Sequence, residues 1–358
     1  MFQVVIRVDA SEEIGLGHIM RCITLAQMLQ GHFDANIIFV CNSSIPTFVV
    51  NQIKKNNYTV IFMDGDLNTS RKNNKIDARI FIEAIRKYGE IDLVIVDHYQ
   101  LDIEWEKEIR AHTKCILVID DLANRHHDCD VLLDQNLTNN MSKKYENLLP
   151  RHSLQLLGPM YTLLRKEFFN LSEMIDKKKR CRNVFINFGG SDPTNETIKF
   201  LRTLKLHIEE FREVSFSVVA GPSNSCQLEI KELCNHFPNV IYYPESKEIP
   251  EMLLNSDLAI GAGGVSLWER SFMGVPSIVI AVADNQIEAI KEAERLGMVW
   301  YIGVSNEECS KKVLTNLRYI LRNPTRLKEK SSNSLSVMEP LRGTKIHPLL
   351  LTLETIMT

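Results

Sequence analysis

The chain has 358 residues, 44% hydrophobic and 24% charged, with a formal net charge of −3. That balance excludes a general polyanion binder, and the length exceeds one comfortable core, so two domains of roughly 150–200 residues each are expected. The eight cysteines are scattered without a C-x-x-C pair, which fits reduced thiols rather than a disulfide framework. No apolar run approaches the ~20 residues that cross a bilayer. The one conspicuous basic run, Lys177–Arg182, reads as a solvated linker rather than a nucleic-acid patch. The expectation is a cytoplasmic protein with no nucleic-acid or membrane partner.

From the first residues onward, short β-branched runs alternate with helical patterns. Strands are expected at 3–8, 35–40, 58–63, 92–97 and 115–120, with helices at 18–30, 45–55, 77–88 and 102–112. Several of the strands are apolar throughout, as parallel strands covered on both faces are. Such a rhythm predicts a doubly wound parallel sheet, with its ligand crevice beyond the carboxyl ends of the strands. After the charged stretch ending at Arg182 the pattern restarts, with strands expected at 183–188, 214–220, 239–243, 257–262, 276–281 and 298–302. The fold class is therefore α/β: two Rossmann-like doubly wound domains facing a cleft, the GT-B architecture. The expected domains are 1–170, 183–335 and a helical tail over 336–358.

The stretch "DASEEIGLGHIMRC" places two glycines, Gly15 and Gly17, directly before a histidine that starts an apolar helix. The apolar face of that helix is Ile19, Cys22, Ile23 and Ala26. An imidazole at the positive end of a helix is disfavoured as a cation, and a neutral imidazole at the lip of a crevice suits a general base. His18 is thus the candidate base, although a His clamping its own loop is the other reading. Arg7 and Asp9, at the end of the preceding strand, could orient it or meet charge on a substrate. Tyr99, His98, Asp120 and Asp121 sit at other strand ends, either as caps or as groups facing a ligand.

Two glycine loops in the second half suggest a phosphate ligand. In "NFGGSDPTNET", Gly189 and Gly190 follow a strand, Ser191 and Asp192 stand where a helix cap belongs, and Pro193 falls in the first turn. The unpaired amides at such a helix start can hold a phosphate, or the segment is simply a capped turn. In "GAGGVSLWERSFMGVP", Gly263 and Gly264 allow close backbone approach, Ser266 follows, and Glu269 could accept both hydroxyls of a ribose. A glycine pair with a glutamate five residues on is more specific than a glycine loop alone, and a nucleoside diphosphate is the expected ligand. Asn285 in "DNQ" either adds a polar contact or caps the next helix. "DGD" (64–66) and "RHHDCD" (125–130) resemble metal-binding strings, but neither spacing is persuasive, and no metal or other cofactor is expected.

"RVDASEEIGLGHIMRCITLA" resembles the N-terminal signature of the pseudaminic-acid pathway hydrolase family, PseG. The resemblance continues through "VIVDHY", "VIDDLANRHHDCDVLLDQNL", "LLGPMYTLLRKEF" and both glycine loops, so it spans nearly the whole chain; the last twenty residues carry no matching motif. The second domain is also similar to that of the peptidoglycan UDP-GlcNAc transferase, MurG. The PseG resemblance implies hydrolysis of UDP-2,4-diacetamido-2,4,6-trideoxy-β-L-altropyranose, with His18 activating water for inverting attack at the anomeric carbon, without a metal. The implied partner is the UDP-sugar alone, and a monomer is expected. The alternatives are a GT-B glycosyltransferase, a hydrolase of another UDP-sugar, or a sensor that binds without turnover.

Overall fold

The computed structural model describes residues 2–10, 16–63, 73–175, 181–221, 223–244 and 248–357. Gly15, the "DGD" string and Lys177–Arg180 lie outside them. The chain divides into two compact α/β units, one comprising Met1–Leu163 with Thr344–Thr358 and the other Leu164–Gly343.

The first unit is built on strands β1 (Phe2–Val8), β2 (Ala35–Asn42), β3 (Thr59–Met63), β4 (Ile91–Asp97), β5 (Thr113–Ile119), β6 (Val131–Asp134) and β7 (Leu154–Leu157). They form one parallel sheet in the order β3-β2-β1-β4-β5-β6-β7. Both faces are covered: Val4, Ile6 and Val8 of β1 enter one core cluster, while Val5 enters the other. Strands packed on two sides have no reason to alternate in polarity, so these segments read as continuous apolar runs. β6 and β7 go beyond the sequence reading; at four residues each they are too short to declare themselves by pattern.

Strand order runs outward in both directions from β1 and β4, so the switch point of the sheet lies between their carboxyl ends. The helix Gly17–Phe33 leaves β1 there and buries Ile19, Cys22, Ile23 and Ala26, as its spacing predicts. It also buries His18 and Arg21, at 6% exposure each, which hydropathy does not foretell.

In the second unit β8 (Asn183–Asn187), β9 (Ser215–Val219), β10 (Val240–Tyr243), β11 (Leu258–Ala262), β12 (Ser277–Ala281) and β13 (Val299–Val304) make a parallel sheet in the order β10-β9-β8-β11-β12-β13. Its switch point falls between β8 and β11, the strands that carry the two glycine loops. Gly264 adopts φ +73°, a conformation that side chains resist, and it turns the chain into the helix Val265–Phe272.

The unit bounds differ from those expected, for reasons visible in the packing. The helix Lys166–Leu171 belongs to the second unit, where the Phe169 ring meets Phe272 with centroids 5.0 Å apart. The expected tail is split: the helix Thr325–Arg342 stays with the second unit, while Pro348–Met357 returns to the first and sinks Leu349, Leu350 and Leu353 into its core. His347 latches that return. Its Nε2 donates to the Thr162 carbonyl and its Nδ1 accepts from the Leu349 N–H, both at 3.2 Å.

Both contacts need a neutral ring, and burial lowers the His347 pKa from 6.5 to about 4. The folded state therefore binds this proton more weakly than the unfolded state. Stability is complete above about pH 6.5 and falls as pH drops towards 4, by up to about 3 kcal/mol from this residue. Thermal melts of wild type and His347→Gln at pH 7 and pH 4.5 check this: the wild type is expected to lose more on acidification than the variant. Equal losses would assign the acid sensitivity to other groups.

Candidate active site

At the switch point of the first sheet, polar side chains close on His18. Asp97, the last residue of β4, is fully buried, and its Oδ1 lies 2.5 Å from His18 Nδ1. Arg21, one turn along the histidine's helix, donates from Nε to Asp97 Oδ2 and from Nη2 to Oδ1, both at 2.5 Å. Burial alone would raise the Asp97 carboxyl; Arg21 and His18 together outweigh it and hold the group well below the usual carboxylate range. Arg21 Nη2 also lies 3.0 Å from Nδ1, but it already donates to Asp97 at 2.5 Å; an ionised carboxylate can only accept, so the shorter contact at Nδ1 favours a ring proton there and leaves the lone pair on Nε2. Among the described residues, no hydrogen bond involves Nε2.

The ring is further enclosed by Tyr99, whose ring packs edge-on at a centroid distance of 4.6 Å. The Tyr99 hydroxyl donates to Asp121 Oδ1 at 2.8 Å, and Asp121 Oδ2 lies 3.6 Å from Arg21 Nη1. Burial and the Asp121 charge push the Tyr99 hydroxyl well above its ordinary pKa, so it stays protonated. His18, Asp97, Arg21, Asp121 and Tyr99 thus form a closed ring of contacts drawn from the helix after β1, the end of β4 and the segments after β4 and β5. The sequence reading brings three of the five to this site and misses Asp97 and Arg21. The available signal for Asp97 is a carboxylate ending the otherwise apolar run "LVIV"; for Arg21 it is a charge on the apolar face of a helix.

Arg7 and Asp9 do not touch the imidazole. Arg7, 1% exposed, spends its guanidinium on Asp9 and Asp77, with Nη1 2.7 Å from Asp9 Oδ1 and Nη2 3.0 Å from Asp77 Oδ2. Asp9 also accepts from the Asn42 N–H at 2.7 Å and meets His98 Nε2 at 3.2 Å. These groups brace the ends of β1, β2 and β4; the carboxylate that meets the His18 ring is Asp97. The "RHHDCD" donors diverge: His127 pairs with Glu106 at 2.7 Å, Arg110 holds Asp128 and Asp130, and His126 is exposed. Among the described residues, no three metal-ligating side chains converge.

The first glycine loop of the second unit differs from its expectation. Its helix begins at Glu196, and Asp192 caps it from outside, accepting from the Glu196 and Thr197 N–H groups at 2.9 Å each. Two amides that a phosphate could use are therefore taken by a carboxylate. The packing constraint here falls on Gly221, where a Cβ would stand 2.4 Å from the Gly190 Cα. Gly189 turns at φ +94° with its N–H on Asn187 Oδ1, and Ser191 is half-buried beside it.

The second loop spends its Gly263 N–H on a side chain but leaves its helix start uncapped. No side chain caps the helix Val265–Phe272, and Ser266 Oγ turns back to the Gly263 carbonyl at 3.4 Å. Gln286, next to the predicted Asn285, braces the loop: its Oε1 accepts from the Gly263 and Val282 N–H groups at 3.2 and 3.1 Å. Asn285 itself is half-buried in the turn Asp284–Gln286. Glu269 accepts no hydrogen bond from the described residues, and Arg165 stands 4.0 Å away. Burial raises the Glu269 carboxyl, against the pull of Arg165 and Arg270. It is a carboxylate with vacant acceptor positions.

The architecture defines a fold class, GT-B. The structure of MurG from Acinetobacter baumannii superposes with a TM-score of 0.63 over 99% of both chains, at 13% identity. Residues 183–342 match the Glycosyltransferase family 28 C-terminal domain. Among curated relatives, the chain is 29% identical over 297 residues to an uncharacterised protein of Methanocaldococcus jannaschii, a match that takes in 80% of this chain but 57% of the archaeal one. It is 25% identical to the UDP-2,4-diacetamido-2,4,6-trideoxy-β-L-altropyranose hydrolase of Campylobacter jejuni, over 72% of this chain and 84% of that enzyme. The resemblance to PseG-type hydrolases therefore stands. Among the described residues, no helix is long and apolar enough to cross a membrane.

Proposed function

We propose that this protein is a UDP-sugar hydrolase that cleaves UDP-2,4-diacetamido-2,4,6-trideoxy-β-L-altropyranose to UDP and the free sugar, as a monomer without a metal. The observation that carries the reading is the His18–Asp97 pair, with no hydrogen bond to Nε2 among the described residues, in a chain similar to an enzyme named for that reaction. The second unit holds the uridine diphosphate: Glu269 accepts from the ribose hydroxyls and the Gly263–Gly264 loop and Val265 helix start meet the diphosphate. The first unit supplies the base.

His18 Nε2 takes a proton from water as the water oxygen forms a bond to the anomeric carbon. The bond from that carbon to the phosphate oxygen breaks on the opposite face, its electron pair leaves with UDP, and configuration inverts. The imidazolium formed is stabilised by Asp97, and Tyr99 limits the ring's rotation. Asp121, tied to Tyr99 and Arg21, keeps both in place. The deciding assay is incubation with the substrate and no acceptor alcohol, following free UDP. Stoichiometric UDP and free sugar support a hydrolase; release that depends on an added acceptor would make the protein a transferase, and binding without release a sensor.

A further inference from the structure

Beneath the second glycine loop lies a charge that the mechanism above does not use. Arg270, on the core-facing side of the helix Val265–Phe272, is 1% exposed. Its Nε donates to Ser277 Oγ at 3.0 Å and its Nη2 to the Ala262 carbonyl at 2.6 Å, immediately before Gly263. Its Nη1 is buried without an acceptor. A Cβ added to Gly261 would come within 3.0 Å of that nitrogen, so the guanidinium lies against the end of β11 itself.

No carboxylate pairs with this cation among the described residues. The neighbouring acid, Glu269, lies 4.0 Å from Arg165 and acts on Arg270 only through space, while the hydrogen bonds of Arg270 go to a hydroxyl and a carbonyl. Burying a charge in this way costs several kcal/mol unless an anion compensates it. A hydrophobic residue would fill the space more cheaply. Burial lowers the Arg270 pKa only to about 10, so the cation persists at neutral pH.

We infer that Arg270 is a positioning residue whose fixed buried charge tunes the glycine loop for the diphosphate of the nucleotide, so that the ligand adds negative charge beyond that of Glu269. It does so without touching the ligand, through the Ala262 carbonyl it anchors and through space in a low-dielectric setting. The inference rests on the uridine-diphosphate reading of this loop and assigns the source of its preference for charge.

The test compares UDP with uridine by calorimetry on the full chain. Arg270→Gln is expected to weaken UDP about tenfold and uridine less than twofold, whereas Arg270→Lys keeps the wild-type UDP-to-uridine ratio within about twofold. Equal losses for both ligands in the glutamine variant would make Arg270 a packing residue only and overturn the inference. Should the glutamine variant not fold, the neutral Arg270→Met takes its place: a selective loss of UDP upholds the charge argument, and equal losses overturn it. If the wild type binds neither ligand, the nucleotide reading itself fails.

Discussion

His18→Ala is expected to lower the rate of UDP release by on the order of 10²–10⁴-fold while leaving UDP affinity within about twofold of wild type. The split follows from the division of labour. The imidazole belongs to the first unit, and Glu269 and the Gly263–Gly264 loop belong to the second, to which the proposal gives the nucleotide. Removing a ring that is 6% exposed leaves a small void near Tyr99, so melting is expected to change by only a few degrees. Single-turnover UDP release beside calorimetric UDP binding measures both quantities. Comparable losses in rate and UDP affinity would place His18 among the nucleotide-binding groups, and an unchanged rate would remove it from the chemistry.

Asp97→Asn is the second large effect, and it separates orientation from mere presence of the histidine. An amide facing Nδ1 can donate, which stabilises the tautomer with its proton on Nε2, the wrong atom for a base. The loss of kcat is expected to approach that of His18→Ala, with KM little changed. Unlike the alanine variant, this one also strips a carboxylate from Arg21, whose guanidinium sits 2.5 Å from both Asp97 oxygens in a buried setting. Breaking such a pair costs about 3–5 kcal/mol, so the melting temperature falls as well. Kinetics measured at a temperature where the variant is fully folded isolate the catalytic part. Wild-type kcat under those conditions would show that Asp97 is only structural, and that Arg21 or Tyr99 suffices to orient the ring.

Much of this architecture is legible from residue types alone. Continuous apolar runs such as "LVIV" announce two-sided burial, and glycine pairs after strands mark both loops. The partners of His18 are not legible in the same way. Asp97 is 79 positions from it in sequence and meets it only because β1 and β4 pair in register, with Val8 opposite Asp97. The nearer candidates, Arg7 and Asp9, satisfy each other, Arg7 from the end of β1 and Asp9 from just beyond it. At the first glycine loop, sequence marks a helix start but not that Asp192 would spend itself on two of its amides. The brace on the second loop belongs to Gln286 rather than to its neighbour Asn285, a distinction that depends on which way a short turn points its side chains.

Hydrolysis of the UDP-linked diacetamido-trideoxy-altrose in 18-O water, quenched before the free sugar exchanges its anomeric oxygen, tests water delivery by His18 most directly. The account predicts heavy oxygen in the sugar and none in UDP, because water attacks carbon and the phosphate oxygen departs with the nucleotide. Heavy oxygen in UDP would mean attack at phosphorus, and the role given to His18 and Asp97 would be wrong.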